Sequence, residues 1–169
     1  MDAGRVIDAL NAARSRELAV IIQYMEHHYV AASMVGLPSF AKQTRGDIWV
    51  GAHGSGLAAR VLGAPGPVVT LKSVAKVEML HAQSFGNRVT ALGGTPTVTP
   101  GERCKASTVA EMLRLDVTAE DEAVCLYAES MDMCRSEGDE VSGALFERIL
   151  RDEIAHSAAF RALIEGSGA

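Results

Sequence analysis

Aromatic residues are scarce in this chain, at 5%, and proline occurs only 5 times. With 48% apolar residues, so little proline excludes a disordered or low-complexity chain. The three cysteines, Cys104, Cys125 and Cys134, are an odd number and contain no C-x-x-C pair. They read as reduced thiols of a cytoplasmic protein. Cys125 and Cys134 are nine apart, which puts them on opposite sides of any helix carrying both. The net charge is -5 and no cluster of Lys and Arg stands out, so neither nucleic acid nor an anionic membrane is an expected partner. No uninterrupted apolar run is long enough for a membrane span. The first residues lack a charged segment followed by an apolar one, so no signal peptide is visible.

What is present favours helix. Ala, Leu, Val and Met are common, and 169 residues suit one domain, 1–169, with a substantial core. Helical periodicity predicts four helices, at about 3–34, 69–92, 107–135 and 140–164. The second runs into Gly93-Gly94, a stop signal. Ser107 and Thr108, followed by Glu111, are candidate caps for the third. Residues 95–105 are long enough to cross the length of a bundle. Only a few residues, around Ser136–Asp139, separate the third helix from the fourth, which makes those two antiparallel neighbours.

Residues 36–67 are different, being rich in Gly and Pro. Leu57-Ala-Ala-Arg-Val-Leu62 could form a short helix. Gly54-Ser-Gly56-Leu-Ala-Ala59, after the strand-like Ile48-Trp-Val50, imitates a dinucleotide-binding turn. No complete βαβ unit surrounds it, so the segment reads as an extended loop or inserted subdomain. His53 within it has no obvious partner.

The most informative feature is which polar residues occupy the apolar stripes. Spacings of three and four give Val6, Leu10, Ala13, Glu17, Ile21 and Tyr24 in the first helix. In the second they give Leu71, Val74, Glu78, His81, Phe85 and Leu92, interrupted by Arg88. The third carries Leu113, Val117, Glu120, Val124, Tyr127 and Met131. The fourth carries Phe146, Ile149, Glu153, His156, Phe160 and Leu163. Each stripe has a glutamate near its middle, and two have a histidine one turn later. An ionised carboxylate inside a bundle is costly unless it is paired or binds metal. Four at one level would repel one another, and a cationic centre removes that problem. Glu-x-x-His puts both side chains on one helical face. Two such pairs with two single glutamates offer six ligands, enough for two ions with bridging carboxylates.

A lone Glu-x-x-His says little, but here the order Glu, then Glu-x-x-His, occurs twice. The pattern resembles the ferritin-like di-iron carboxylate proteins, bacterioferritin most closely. The likeness rests on Arg16-Glu-Leu-Ala-Val-Ile-Ile-Gln-Tyr24, Glu78-Met-Leu-His-Ala82, Glu111-Met-Leu-Arg-Leu-Asp116 with Glu120 beyond, and Leu150-Arg-Asp-Glu-Ile-Ala-His156. It covers the chain except residues 36–67. It implies an all-α, antiparallel four-helix bundle with a long crossover between the second and third helices and an irregular insertion between the first and second. Glu17 and Glu78 are 61 positions apart, whereas Glu120 and Glu153 are 33 apart; the insertion is the excess.

By that likeness Glu17, Glu78, His81, Glu120, Glu153 and His156 are the metal ligands, with Glu78 and Glu153 bridging. Met79 takes the place of a methionine that binds haem between two subunits, although methionine is also simply a good helix former. Tyr24 and Tyr127, each seven residues after an inward glutamate, could hydrogen-bond to a ligand, donate an electron, or be core tyrosines. Asp116 and Asp152 could each accept the free N–H of His81 or His156. His27 and His28 read as surface or interface residues, and Glu26, Glu122 and Glu129 as solvated faces.

Oxygen-rich ligation with two imidazoles suits iron, or manganese, better than thiolate chemistry. The resemblance therefore implies a ferroxidase-type oxidoreductase that oxidises Fe(II) with O₂ or peroxide, in iron handling or detoxification. A rubrerythrin-like peroxidase would need a separate electron-donor protein, since no paired C-x-x-C domain is present. An iron storage or delivery subunit, or a bundle with a structural or empty site, are non-enzymatic readings. Bacterioferritin-like cages carry a further short helix, and only 13 residues follow His156. The expected homo-oligomer is thus a dimer or another assembly.

Overall fold

The computed structural model describes residues 2–34 and 67–166, and these form four helices: α1 (Ala3–Met34), α2 (Pro67–Ala91), α3 (Val109–Ser136) and α4 (Glu140–Gly166). The insertion at 36–67, with its short Leu57–Leu62 helix, the Gly54–Ala59 turn and His53, lies outside the described residues apart from Pro67.

The helix ends follow local chemistry. Thr108 caps α3 in a capping box: its hydroxyl accepts from the Glu111 amide, and the Glu111 side chain accepts from the Thr108 amide. Two Schellman turns end α2 and α3. Gly94 N–H reaches Val89 O at 3.0 Å, and Asp139 N–H reaches Cys134 O at 2.9 Å. In both, the turn residue is a left-handed glycine, Gly93 and Gly138, each at φ 81°. Asp139 then caps α4, accepting from the Ser142 amide at 3.0 Å. Arg88, the interruption on the α2 stripe, reaches over to Asp139 at 2.8 Å and Ser142 at 2.9 Å. It ties the end of α2 to the α3–α4 turn.

Two apolar clusters give the topology. One holds Val6, Leu10 and Ala13 of α1, Phe85 and Val89 of α2, Ala123 and Tyr127 of α3, and Phe146 and Ile149 of α4. The other holds Val20, Tyr24 and Ala31, Leu71 and Val74, Leu113, and Phe160. Helices α1 and α4 therefore run in one direction, and α2 and α3 in the other. The most extensive packing is α1 on α2 and α3 on α4, with α1–α3 and α2–α4 closing the bundle.

Because α2 and α3 are parallel, the chain must return the whole bundle length between them. It does so along α1, whose polar face satisfies the crossing backbone. Arg14 Nε donates to Thr97 O (2.8 Å), Ser15 Oγ to Thr99 O (2.8 Å), and Gly101 N to Ser15 O (2.9 Å). Arg14 also lies over Gly86, where an added Cβ would sit 2.8 Å from its Nη1, and donates to Ala82 O. No helix among the described residues is long and apolar enough to cross a membrane.

Candidate metal centre

Between the two apolar clusters lies one polar layer. Glu17, Glu78, Glu120 and Glu153, one per helix, are at most 1% exposed; His81 and His156 are 5% and 7% exposed. The structure brings all six together. They form two groups of four, Glu17–Glu78–His81–Glu153 and Glu78–Glu120–Glu153–His156, and in each group one donor atom per residue lies within 4.8 Å of the others. Glu78 and Glu153 belong to both.

The contacts inside the layer show unspent coordinating capacity. His81 Nδ1 is 2.7 Å from Glu78 Oε2 and 3.0 Å from Glu153 Oε1. His156 Nδ1 is 2.7 Å from Glu78 Oε1 and 3.6 Å from Glu153 Oε2. Yet Glu17 Oε2, Glu78 Oε1, Glu120 Oε2, Glu153 Oε1 and His156 Nδ1 are buried without a well-formed hydrogen bond. His156 and Glu78 are close but not aligned to bond. Buried polar atoms left in that condition are expensive. Five in one layer, with oxygen and imidazole donors in two overlapping sets, fit a pair of cations.

The ionisation pattern follows from the same crowding. Burial raises Glu17 and Glu120 well above the usual carboxylate range, reinforced by Glu153 and Glu78. Burial also pushes Glu78 and Glu153 up, but both end lowered. For Glu78 the charges of His156 and His81 prevail; for Glu153, the close approach of the Glu120 carboxyl and of the His156 and His81 imidazoles does. Burial lowers the two histidines, and nearby carboxylates, Glu78 first, outweigh it. His81 rises well above its ordinary value and His156 to about 10. Within the layer, imidazolium thus balances carboxylate.

Both tyrosines reach the layer, but crosswise. Tyr24 donates to Glu120 Oε1 and Tyr127 to Glu17 Oε1. Each lies two turns beyond the glutamate of its own helix. Helical side chains lean back toward the N-terminus, and the antiparallel neighbour presents the other glutamate there. Burial raises both phenols well above 10, so they donate and stay neutral. Asp152 accepts at 3.2 Å from the outer nitrogen, Nε2, of His81.

Two expectations are corrected. Asp116 does not meet His81 or His156. It accepts from Gln23 Nε2 (3.0 Å) and sits 2.9 Å from His27 Nδ1, because α3 faces α1 at that level while the histidines belong to α2 and α4. His27 and His28 are buried, at 2% and 9% exposed, and are not surface residues. Both continue the three-and-four spacing after Tyr24, which is the signal that identifies them. Met79 is 57% exposed on α2, beside a groove lined by Arg14, Leu18, Ile21, Ala82 and Gly86. Glu26, Glu122 and Glu129 are exposed.

Residues 65–166 match the family model described as a ferritin-like domain. The chain is 31% identical over 153 residues to the bacterioferritin of Desulfovibrio desulfuricans, covering 90% of this chain and 70% of that one. It is 29% identical to the bacterioferritin of Rhodobacter capsulatus, covering 90% and 78%. The fold is similar to a D. desulfuricans bacterioferritin structure described with its diiron site in different catalytic states. The TM-score is 0.75 at 28% identity, over 96% of this chain and 80% of that one. It is equally similar to an R. capsulatus bacterioferritin structure with a metal-free dinuclear site and haem iron, with TM-score 0.75 at 25% identity, over 96% and 84%.

Proposed function

This chain belongs to the ferritin-like family, and from that premise we propose that it binds two iron ions in the polar layer and oxidises Fe(II) with O₂ or peroxide, in iron handling. The observation that carries this reading is the pair of four-donor groups sharing Glu78 and Glu153, buried between two apolar clusters. Glu17 and His81 would complete one ion's donor set, and Glu120 and His156 the other's. Two adjacent iron ions supply the electrons that reduce the oxidant. The protein contributes position and dryness. Phe85, Tyr127 and Phe146 on one side, and Tyr24 and Phe160 on the other, pack against one another with ring centroids 5.1–5.8 Å apart and keep water from the layer. Tyr24 and Tyr127 hold Glu120 and Glu17 by one oxygen, leaving the other directed inward. Either phenol is placed to pass an electron to the centre.

The test is anaerobic Fe(II) titration followed by O₂, or by peroxide, watched by absorbance. Two irons per chain and rapid oxidation are expected, with Glu78→Ala abolishing both. A Glu78→Ala variant that oxidises iron as fast as the parent would reject the assignment.

A second reading concerns Met79. Its exposed thioether borders the α1–α2 groove, where it could ligate a haem shared with a second copy of the chain, making a homodimer the assembly unit. Haem reconstitution read by visible absorption, with loss of the bound spectrum in Met79→Leu, tests it.

A further inference from the structure

The two donor groups are matched across the bundle: Glu17 with Glu120, Glu78 with Glu153, His81 with His156, and Tyr127 with Tyr24. The match fails at one place. Asp152, the residue before Glu153 on α4, reaches across to the outer nitrogen of His81 on α2 at 3.2 Å. The equivalent residue before Glu78 on α2 is Val77, which has no atom to offer the outer nitrogen of His156. We propose that the two metal positions are unequal: the ion beside His81 is held tightly because Asp152 braces that imidazole, and the ion beside His156 is held loosely because Val77 leaves its imidazole unbraced. This rests on the two-ion reading of the layer.

The bonding of the two histidines supports the inequality directly. His81 is hydrogen-bonded at both nitrogens, to Glu78 through Nδ1 (2.7 Å) and to Asp152 through Nε2. His156 makes all its close carboxylate contacts through Nδ1, and that atom is buried without an aligned partner. Among the described residues, none bonds its Nε2. A ligand histidine whose outer N–H is held by a carboxylate has its tautomer and ring orientation fixed and its basicity raised. His156 has neither aid. The remaining donors do not compensate. Glu78 and Glu153 serve both positions, and Glu17 and Glu120 are each held by one tyrosine hydroxyl. The difference therefore lies on the histidine side. Asp152 acts through His81 and is a positioning residue; its side chain is 48% exposed, so replacing it opens no cavity.

The experiment titrates the metal-free full chain with Co(II), read by visible absorption and calorimetry, with no turnover involved. The parent should bind two ions in steps separated by about 10–100-fold, the usual worth of an outer-shell partner. Glu120→Gln should keep the tight ion and Glu17→Gln only the weak one, since each glutamate belongs to one group. Asp152→Ala should weaken the tight step by about 10–100-fold and leave the weak step in place. Val77→Asp should strengthen the weak step and leave the tight one unchanged. Two ions of equal affinity in the parent, or an Asp152→Ala variant that shifts both steps alike, overturn the proposal while leaving the two-ion reading intact. No uptake by the parent overturns the two-ion reading itself, and the inequality with it.

Discussion

Loading the metal-free protein with two divalent ions should expel protons, and the structure sets how many and from where. His81 and His156 hold protons well above the ordinary imidazole value of 6.5, His156 to about 10. At neutral pH both are imidazolium, and both must lose the Nδ1 proton that faces the layer before they can donate to a metal. That accounts for about two protons per chain. Glu17 and Glu120 are pushed well above the carboxylate value of 4.5, first by burial and then by Glu153 and Glu78. They add up to about two more. Glu78 and Glu153 are lowered and contribute none. Anaerobic addition of Co(II) in weak buffer with an indicator dye counts the release. Calorimetry in buffers of different ionisation enthalpy checks it. Glu17→Gln should cut the release by up to about two protons: its own, because glutamine has none to lose, and that of His81, whose ion is no longer held. The sign of the pH dependence follows: protons and metal compete, so the rise in melting temperature on metal addition should grow from pH 6 to pH 8. Full metal binding with no proton release, or a metal-induced gain that shrinks with rising pH, would refute the assignment of charge in the layer.

The other predictions follow from particular contacts. Glu78→Gln removes a donor from both groups, so it should lose both ions. With them goes the thermal gain from ligand binding, about 2.7 kcal/mol per site at metal concentrations 100-fold above Kd. Without metal, the stability that His81 and His156 contribute is complete below pH 6.5 and is lost as pH rises through their raised values. The melting temperature of the metal-free chain should therefore fall between pH 7 and pH 10, and a flat profile would count against the imidazolium assignment. Asp139→Ala removes the α4 cap and strands the half-buried Arg88, and should cost about 1–2 kcal/mol in chemical denaturation. Asp139 is lowered from its ordinary 3.8: burial raises it, and bonds from Ser142 and Arg88 outweigh that. Its contribution is present above pH 3.8 and lost as pH falls through its folded value, so parent and variant should converge in acid.

Much of the site was legible in the amino-acid order because its residues break a rule. A glutamate inside an apolar three-and-four stripe is conspicuous, and so is a second Glu-x-x-His built like the first. The helices were equally legible. Periodicity, the Gly93-Gly94 stop and the Thr108–Glu111 cap are local, and the ends of α1 to α4 fall within two residues of the expected ones. Arg88 looked like a flaw in its stripe because its partners, Asp139 and Ser142, are 51 and 54 residues away. Asp116 reads as a possible partner of His81 or His156, and not of His27, for a related reason: its spacing from Glu120 shows that it faces inward but not which helix it faces.

The sequence by itself determined that four helices form and that six donor side chains turn inward at one level, since both depend on spacing along a single helix. Only the tertiary structure decided how those side chains meet. Tyr24 serves the other helix's glutamate, His27 pairs with Asp116, and His81 has a brace that His156 lacks. Each of these is a relation between helices, set by direction, neighbour and depth, and a pattern within one helix carries no record of what packs against it.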